Sequence, residues 1–294
     1  MRVAIIINPA AGPRGRALEG AVCAAEADRL LRAHGVDPDV RLTEAPGHAR
    51  DLVRLALDAG ADLVVAWGGD GTVNEVASAL AHTGVPLGLV PSGSGNGLAK
   101  EFGVPRQPAQ ALARAVGAPA RPLDAGEIGG RFFVNVAGLG LDARIARRFN
   151  ALRGRTHGFA SYVNGTLAEL RRFAPVTYSI DTCGERFGAA ATLVVFANSA
   201  QYGNRARIAP GARPDDGRLD LVIVEAGGLL GSLWRARRLF DGSLLRDRRV
   251  SHRLVERARI SATEPIVFHV DGEPVEGARC LDVRVLPAAL LVKA

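Results

Sequence analysis

Hydrophobic positions in the first third of the chain repeat one pattern: a short apolar strand, a loop that contains glycine, and a helical segment. Apolar runs at residues 3–7, 63–67 and 86–90 each lead into such a loop, and a helical segment over residues 17–33 follows the first. This alternation predicts βαβ units and a parallel sheet. Because ligands of such sheets bind beyond the carboxyl ends of the strands, we expect the three loops to line one crevice.

After about residue 124 the pattern changes to short strands with turn signals between them. The predicted strands cover residues 131–136, 176–181, 191–197, 219–225, 257–263 and 265–270. Asp216-Gly217 and Asp271-Gly272 are dipeptides typical of hairpin turns. Two arginine-rich stretches with helical character, residues 142–173 and 229–248, interrupt the strands.

These patterns predict a fold of α/β plus all-β class. Residues 1–124 would form a nucleotide-binding α/β domain with a Rossmann-like parallel sheet and helices. Residues 125–294 would form an antiparallel β-sandwich. The patterns leave open that the last strand returns to the N-terminal domain.

Composition indicates a folded protein, since 48% of the 294 residues are hydrophobic. The net charge of +7 comes almost wholly from arginine, because lysine occurs only at Lys100 and Lys293. Arginine suits polyphosphates and anionic lipids, although a compositional bias is an equal explanation. The scattered Cys23, Cys183 and Cys280 predict a reducing, cytoplasmic location. No apolar run approaches the roughly 20 residues of a membrane span, so any membrane contact would be peripheral, at the inner face.

The segment Gly68-Gly69-Asp70-Gly71-Thr72 has the features of a phosphate-binding loop between a strand and a helix. Glycines permit positive φ and let the backbone approach a phosphate closely. Thr72 is predicted to cap the helix, and the Asp70 carboxylate is suited to hold Mg²⁺ or its water shell. An ordinary turn with a solvated aspartate is the alternative.

Residues 91–100 contain a second glycine loop that opens a helix. Its small residues would let backbone and hydroxyl groups meet a polyphosphate from the other side. Two such loops, separated by one helix and one strand, are more specific than either alone, and a pair of structural turns is the alternative.

Together these motifs resemble the diacylglycerol kinase catalytic-domain family, which includes sphingosine and ceramide kinases and bacterial soluble lipid kinases. The resemblance covers nearly the whole chain and implies that ATP and Mg²⁺ are used. The nucleotide contacts that it implies are Asn8, Pro9, Gly12, Thr43, Gly68, Gly69, Asp70, Gly71, Thr72, Asn74, Glu75, Ser94 and Asn96.

The resemblance also implies three catalytic carboxylates: Asp70 as organiser of the metal, Asp124 near the acceptor and Glu273 as general base. A carboxylate on the Asp271-Gly272 turn could be aimed into a crevice to accept the proton of an acceptor hydroxyl. A role in the turn alone is the alternative for Glu273.

Three further segments carry the resemblance. Residues 135–143 and 198–203 look like signatures of the family's β domain. Asp216 and Leu219 lie in a segment similar to one that binds a structural Mg²⁺ in several bacterial members, although a hairpin turn explains it equally well. Gly97 stands where many bacterial members carry an aspartate, so metal binding would depend more on Asp70.

The sequence hypothesis is therefore an ATP-dependent lipid kinase that acts on a diacylglycerol-like or sphingoid-like hydroxyl held between the two domains. The alternatives are an NAD kinase-like enzyme and a nucleotide- or lipid-binding regulator without catalysis. Nucleic acid is not expected as a partner, because the arginines are dispersed; a homodimer is compatible with the sequence. Residues 229–240, which include Trp234, are expected to form a helix packed on its own domain rather than an interfacial helix.

Overall fold

A computed structural model describes residues 1–12, 17–33, 35–151, 165, 168–182, 184–203 and 206–294. The chain forms two compact units, Met1–Asp124 with Pro287–Ala294, and Ala125–Leu286. Cys23 and Cys280 form no disulfide within the described part of the chain, and Cys183 lies outside it. Among the described residues, no helix has both the length and the apolar character that a membrane span requires.

The first unit alternates strands with helices, as the hydrophobic pattern predicts. Its elements are β1 (Arg2–Ile7), α1 (Ala17–Ala33), β2 (Asp37–Leu42), α2 (His48–Asp58), β3 (Leu63–Gly68), α3 (Asp70–Leu80), β4 (Leu87–Pro91), α4 (Gly97–Glu101) and α5 (Pro108–Gly117). Two strands belong to both units: β5 (Arg121–Ile128) and the long β17 (Cys280–Lys293).

The sheet of this unit has the order β2, β1, β3, β4, β17, and each neighbouring pair is parallel. All six residues of β3 are buried, as is typical of a central parallel strand covered on both faces. Because the strands are parallel, the segments that follow β1, β2, β3 and β4 all leave the same edge of the sheet.

The second unit is built from antiparallel strands. Its elements are β6 (Arg131–Phe133), β7 (Val136–Gly140), α6 (Leu141–Ala151), β8 (Val176–Thr182), β9 (Glu185–Ala197), β10 (Gln201–Gly203), β11 (Ala206–Arg207), β12 (Leu219–Glu225), α7 (Leu229–Asp241), a 3-10 turn (Leu244–Arg246), β13 (Val250–Val255), β14 (Arg257–Ser261), β15 (Val267–Val270) and β16 (Glu273–Glu276). A large apolar cluster that includes Phe133, Phe196 and Phe268 forms its core. The predicted fold class is confirmed by these two architectures.

Two local predictions were wrong. The strand expected over residues 131–136 is two strands, β6 and β7. Asp216-Gly217 forms a turn before β12, but not a hairpin, because β12 pairs with β9 and β13. The arginine-rich stretch at 229–248 is helical, as predicted, and divides into α7 and the 3-10 turn. Of the other such stretch, residues 152–164 and 166–167 lie outside the described part of the chain.

Candidate active site

Three loops meet at the carboxyl edge of the parallel sheet. We name them loop A (residues 8–12, after β1), loop B (residues 68–72, from β3 into α3) and loop C (residues 91–97, from β4 into α4). Asn8 joins the first two, since its Nδ2 donates to Thr72 Oγ1 at 2.9 Å. Loop A also lies against loop C, because a Cβ at Gly12 would be 3.5 Å from the carbonyl oxygen of Ser92.

Asp70 locks loop B to loop C. Its Oδ2 accepts a hydrogen bond from the backbone N–H of Asn96 at 2.8 Å, and its Oδ1 accepts one from Gly97 at 2.6 Å. A Cβ at Gly95 would overlap the Asp70 carboxylate, so glycine is required there for the approach of the two loops. The carboxylate therefore has a structural task in addition to any metal that it binds.

Backbone contacts reinforce the same junction. The N–H of Ser92 donates to the carbonyl of Gly68 at 3.0 Å. A Cβ at Gly93 would be only 2.6 Å from the Cα of Gly69, so this approach also requires glycine. On loop C, the Ser92 hydroxyl is buried without a partner in the described region, whereas Ser94 is exposed.

Helix α3 begins at Asp70, with Gly69 as its N-cap, and the prediction that Thr72 caps it was wrong. Thr72 lies inside the first turn, where it is buried and accepts the hydrogen bond from Asn8. The first-turn amides, residues 70–72, therefore lie at the positive end of an 11-residue helix. This arrangement favours an anion at loop B.

The other predicted nucleotide contacts have defined positions near this edge. Thr43 follows β2, is buried, and donates its backbone N–H to Ile7 at 2.8 Å. Asn74 is buried on α3. The Glu75 carboxylate accepts hydrogen bonds from the amides of Gly47 at 2.8 Å and Ala49 at 3.2 Å, at the start of α2. Glu75 thus caps a neighbouring helix, a role that its position beside loop B does not reveal.

Asp124 is 3% exposed, and its Oδ1 accepts the N–H of Ala288 at 2.7 Å. Ala288 has φ of 47°, a left-handed conformation that is costly for a residue with a side chain. The carboxylate therefore stabilises an unfavourable backbone conformation at the point where β17 re-enters the first unit.

The predicted hairpin turn at Asp271-Gly272 is confirmed and joins β15 to β16, with φ of 49° and 87° at the two residues. The Asp271 carboxylate accepts hydrogen bonds of 2.9 to 3.0 Å from three successive amides, residues 134–136. Glu273 is half-buried, and its carboxylate has no hydrogen bond or ion pair within the described part of the chain. One carboxylate of the hairpin is therefore fully engaged, and the other is available.

The two β-domain signatures meet beside this hairpin in a buried polar network. The Ser199 hydroxyl donates to Asn135 Oδ1 at 3.1 Å, and Asn198 Nδ2 donates to the carbonyl of Val134 at 2.9 Å. Since the amides of residues 134–136 also donate to Asp271, this network supports the backbone to which the hairpin is bound.

Sequence reasoning missed a histidine–aspartate pair in the same unit. His269 is 4% exposed; its Nε2 contacts Asp142 Oδ2, and its Nδ1 accepts the N–H of Gly272 at 3.2 Å. Burial of the ring lowers the pKa of His269, but the charge and hydrogen bond of Asp142, with a smaller effect of Asp271, outweigh it, so that the pKa is raised. A Cβ at Gly138 would overlap both side chains, so that glycine makes room for the pair.

The segment predicted to bind a structural metal has few donors. Asp216 accepts the N–H of Arg218 at 3.0 Å, and Leu219 begins β12. Nearby Asp220 is paired with His252 Nε2 at 2.6 Å, and burial raises the pKa of Asp220 despite this partner. The described residues contain no group of three His, Cys, Asp or Glu side chains that could hold a metal ion.

Both units match families of known proteins. Residues 2–128 match the diacylglycerol kinase catalytic domain, and residues 135–294 match the YegS C-terminal NAD kinase beta sandwich-like domain. The protein named "Probable lipid kinase YegS-like" of Pseudomonas fluorescens is 34% identical over 84% of this chain and 82% of its own length. A diacylglycerol kinase of Mycobacterium tuberculosis is 32% identical over 92% of this chain and 85% of its own.

A crystal structure of a diacylglycerol kinase from Bacillus anthracis has the same fold, with a TM-score of 0.73 at 20% sequence identity. The match covers 99% of this chain and 96% of that one.

The Asp70 lock is testable through stability. Asp70→Asn replaces one acceptor oxygen by an amide, which cannot accept a hydrogen bond, and we expect the free energy of unfolding to fall by about 1–3 kcal/mol. Hydrogen exchange at the amides of Asn96 and Gly97 should accelerate. Asp58→Asn, at an exposed position of α2, is the control and should change stability by less than about 0.5 kcal/mol. Unchanged exchange at both amides would contradict the lock.

The raised pKa of His269 predicts a pH-dependent contribution to stability. A histidine whose pKa is higher in the folded state stabilises that state fully below its unfolded pKa, near 6.5, and this stabilisation disappears as the pH rises through the folded pKa. The difference in unfolding free energy between the wild type and His269→Gln should therefore be largest at acidic pH and shrink in alkali. Chemical denaturation over a pH series measures it, and a constant difference would refute the ionic pair.

A pair of glycine variants tests the room made for these side chains. Gly138→Ala should displace Asp142 or His269 and destabilise the protein by about 1–3 kcal/mol. Gly188→Ala, on β9 of the same unit, places its Cβ at an ordinary 3.9 Å from the nearest atom and should be close to neutral. Thermal or chemical denaturation compares the two, and equal losses would show that the clash at Gly138 is relieved elsewhere.

Proposed function

Because the chain belongs to the diacylglycerol kinase catalytic-domain family, we propose that it transfers the γ-phosphoryl group of ATP to a lipid hydroxyl. The observation that carries the proposal is the contrast within one hairpin. The Asp271 carboxylate accepts hydrogen bonds from three amides, whereas the Glu273 carboxylate two residues later is unpaired in the described structure.

The nucleotide would bind through loops A, B and C. Loop B offers the amides of the first turn of α3, whose dipole favours an anion, and loop C offers the exposed hydroxyl of Ser94. Asn8 acts here by holding Thr72, and Glu75 acts by holding the start of α2. The glycines of loops B and C permit the two loops to approach each other, and a phosphate would meet loops already fixed in place.

The donor chemistry of loop B fits a magnesium ion that arrives with the nucleotide. Each Asp70 oxygen accepts one amide hydrogen bond and keeps a further lone pair. Mg²⁺ is commonly bound by one or two carboxylates, with phosphates and water completing the shell, and it would neutralise charge on the transferring group. At Asp216 and Leu219 the donors do not complete such a shell, and no step of the proposal depends on them.

In the transfer, the acceptor oxygen forms a bond to the γ-phosphorus while the bond to the bridging oxygen of ADP breaks, and Glu273 accepts the hydroxyl proton. His269 supports this step indirectly, because its Nδ1 holds the amide of Gly272, the residue before Glu273. Asp124 contributes by fixing Ala288 rather than by contacting a substrate.

The names of the relatives support the proposed acceptor class. Relatives are named lipid kinase and diacylglycerol kinase, so the acceptor proposed for this chain is a lipid with a free hydroxyl, of the diacylglycerol or sphingoid type. Purified protein with Mg²⁺ and labelled ATP should phosphorylate a member of a panel of diacylglycerol, monoacylglycerol, phosphatidylglycerol and sphingoid bases.

Glu273→Gln keeps the shape of the side chain and removes its ability to accept a proton. We expect kcat to fall by about 10²–10⁴-fold, the usual contribution of a general base, with unchanged unfolding free energy. Glu276→Gln is the matched control on the same strand, since Glu276 is exposed and, among the described residues, forms its ion pair with the exposed Arg147 side chain. It should retain wild-type turnover.

Two results would overturn the assignment. One is wild-type turnover of Glu273→Gln, which would remove the base. The other is phosphorylation of NAD, or of no acceptor at all, by protein that binds ATP.

A further inference from the structure

Helix α7 exposes its apolar side chains and buries a charged one. Leu233, Trp234 and Phe240 are 44%, 53% and 54% exposed, whereas Arg235 is 5% exposed. The expected helix forms, but Trp234 lies outside the face that packs on its own unit. A helix that only packs on its domain shows the opposite distribution, with apolar residues inward.

Helical periodicity explains how both faces arise. Leu233, Arg237 and Phe240 are separated by four and three residues and share the outer face, with Trp234 at its border. Arg235 and Leu239 share the inner face, where Leu239 packs on a buried apolar cluster. The helix thus packs on its own unit through the inner face, and its outer face stays exposed to solvent.

The surroundings of this outer face are cationic. Arg237 and Arg238 lie 5.9 and 5.6 Å from the ring centre of Trp234. Arg237 is exposed, as are Arg246 and Arg248 after the helix, whereas Arg238 is paired with Asp247 at 3.7 Å. The exposed Asp241 is the opposing charge on the helix; hydrogen bonds from Ser243 lower its pKa, so it stays ionised and the surface keeps an excess of arginine.

We infer that the outer face of α7, defined by Leu233, Trp234, Arg237 and Phe240, binds the surface of an anionic lipid bilayer. Tryptophan and other large apolar residues enter the interface, and arginines attract anionic head groups, each contributing to binding. A second copy of the chain is a poorer occupant, because a two-fold contact would bring identical cationic faces together. The inference rests on the proposed function only for its purpose, which is access to a lipid acceptor.

Vesicle binding by the full chain, measured without ATP, tests this surface. The protein should sediment with vesicles of phosphatidylcholine mixed with an equal amount of phosphatidylglycerol, and more weakly with phosphatidylcholine alone. The double variant Trp234→Ser, Phe240→Ser should bind at least about tenfold more weakly, because two apolar side chains are no longer transferred from water into the bilayer interface. Arg237→Gln should lose about fivefold, on the anionic vesicles only.

A matched control and a spectroscopic readout sharpen the test. Leu55→Ser removes an equally exposed leucine, 53% exposed on α2, and should leave vesicle binding unchanged. The chain contains two tryptophans, and Trp67 is 4% exposed, so a blue shift of emission on adding vesicles reports Trp234 and should vanish in Trp234→Ser.

Three outcomes would overturn the inference: no vesicle binding by the wild type, equal binding by the double variant, or a dimer that this variant dissociates without any change in vesicle binding. Failure of the kinase assay with vesicle binding intact would instead overturn the proposed function. If the wild type phosphorylated a soluble short-chain acceptor but did not bind vesicles, the inference would fail and the proposed function would stand.

Discussion

The two hydrogen bonds from loop C to the Asp70 carboxylate fix the geometry of the candidate nucleotide site. They add to the backbone hydrogen bond from Ser92 to Gly68, which joins loops B and C at the end of the parallel sheet. With them, the start of α4 is tied to the start of α3, and Asn8 extends the junction to loop A. A group that is already held in place costs less to reorganise when charge develops, which is the general basis of electrostatic catalysis.

In the second unit, side chains also hold backbone segments through hydrogen bonds, but the candidate catalytic carboxylate is a different residue. Asp271 and His269 hold the backbone of the hairpin from two sides, one through the amides of residues 134–136 and the other through Gly272. Both side chains are therefore engaged in hydrogen bonds to the backbone. The adjacent Glu273, which has no hydrogen bond or ion pair among the described residues, thus lies on a hairpin supported by its neighbours.

Local patterns in the sequence predicted the parallel strands, helix α1, the fold class and the Asp271-Gly272 hairpin, because these depend on residues close together in the chain. The partners of the site residues depend on distant ones. Asp142 and His269 are 127 positions apart, and Glu75 reaches back 26 and 28 positions to α2. The direction in which α7 faces was equally hidden, since a helical period defines two faces but not which of them is buried.

The hydrogen bond between Asp124 and Ala288 has a consequence for biosynthesis. Asp124 is the last residue of the first unit before the chain departs, and Ala288 follows the point of return, so that the unit closes only when β17 lies beside β4. During translation β4 therefore stays an unpaired edge of the parallel sheet until the whole second unit has been made. The first unit is therefore synthesised first but gains its last strand only after the second unit has been made.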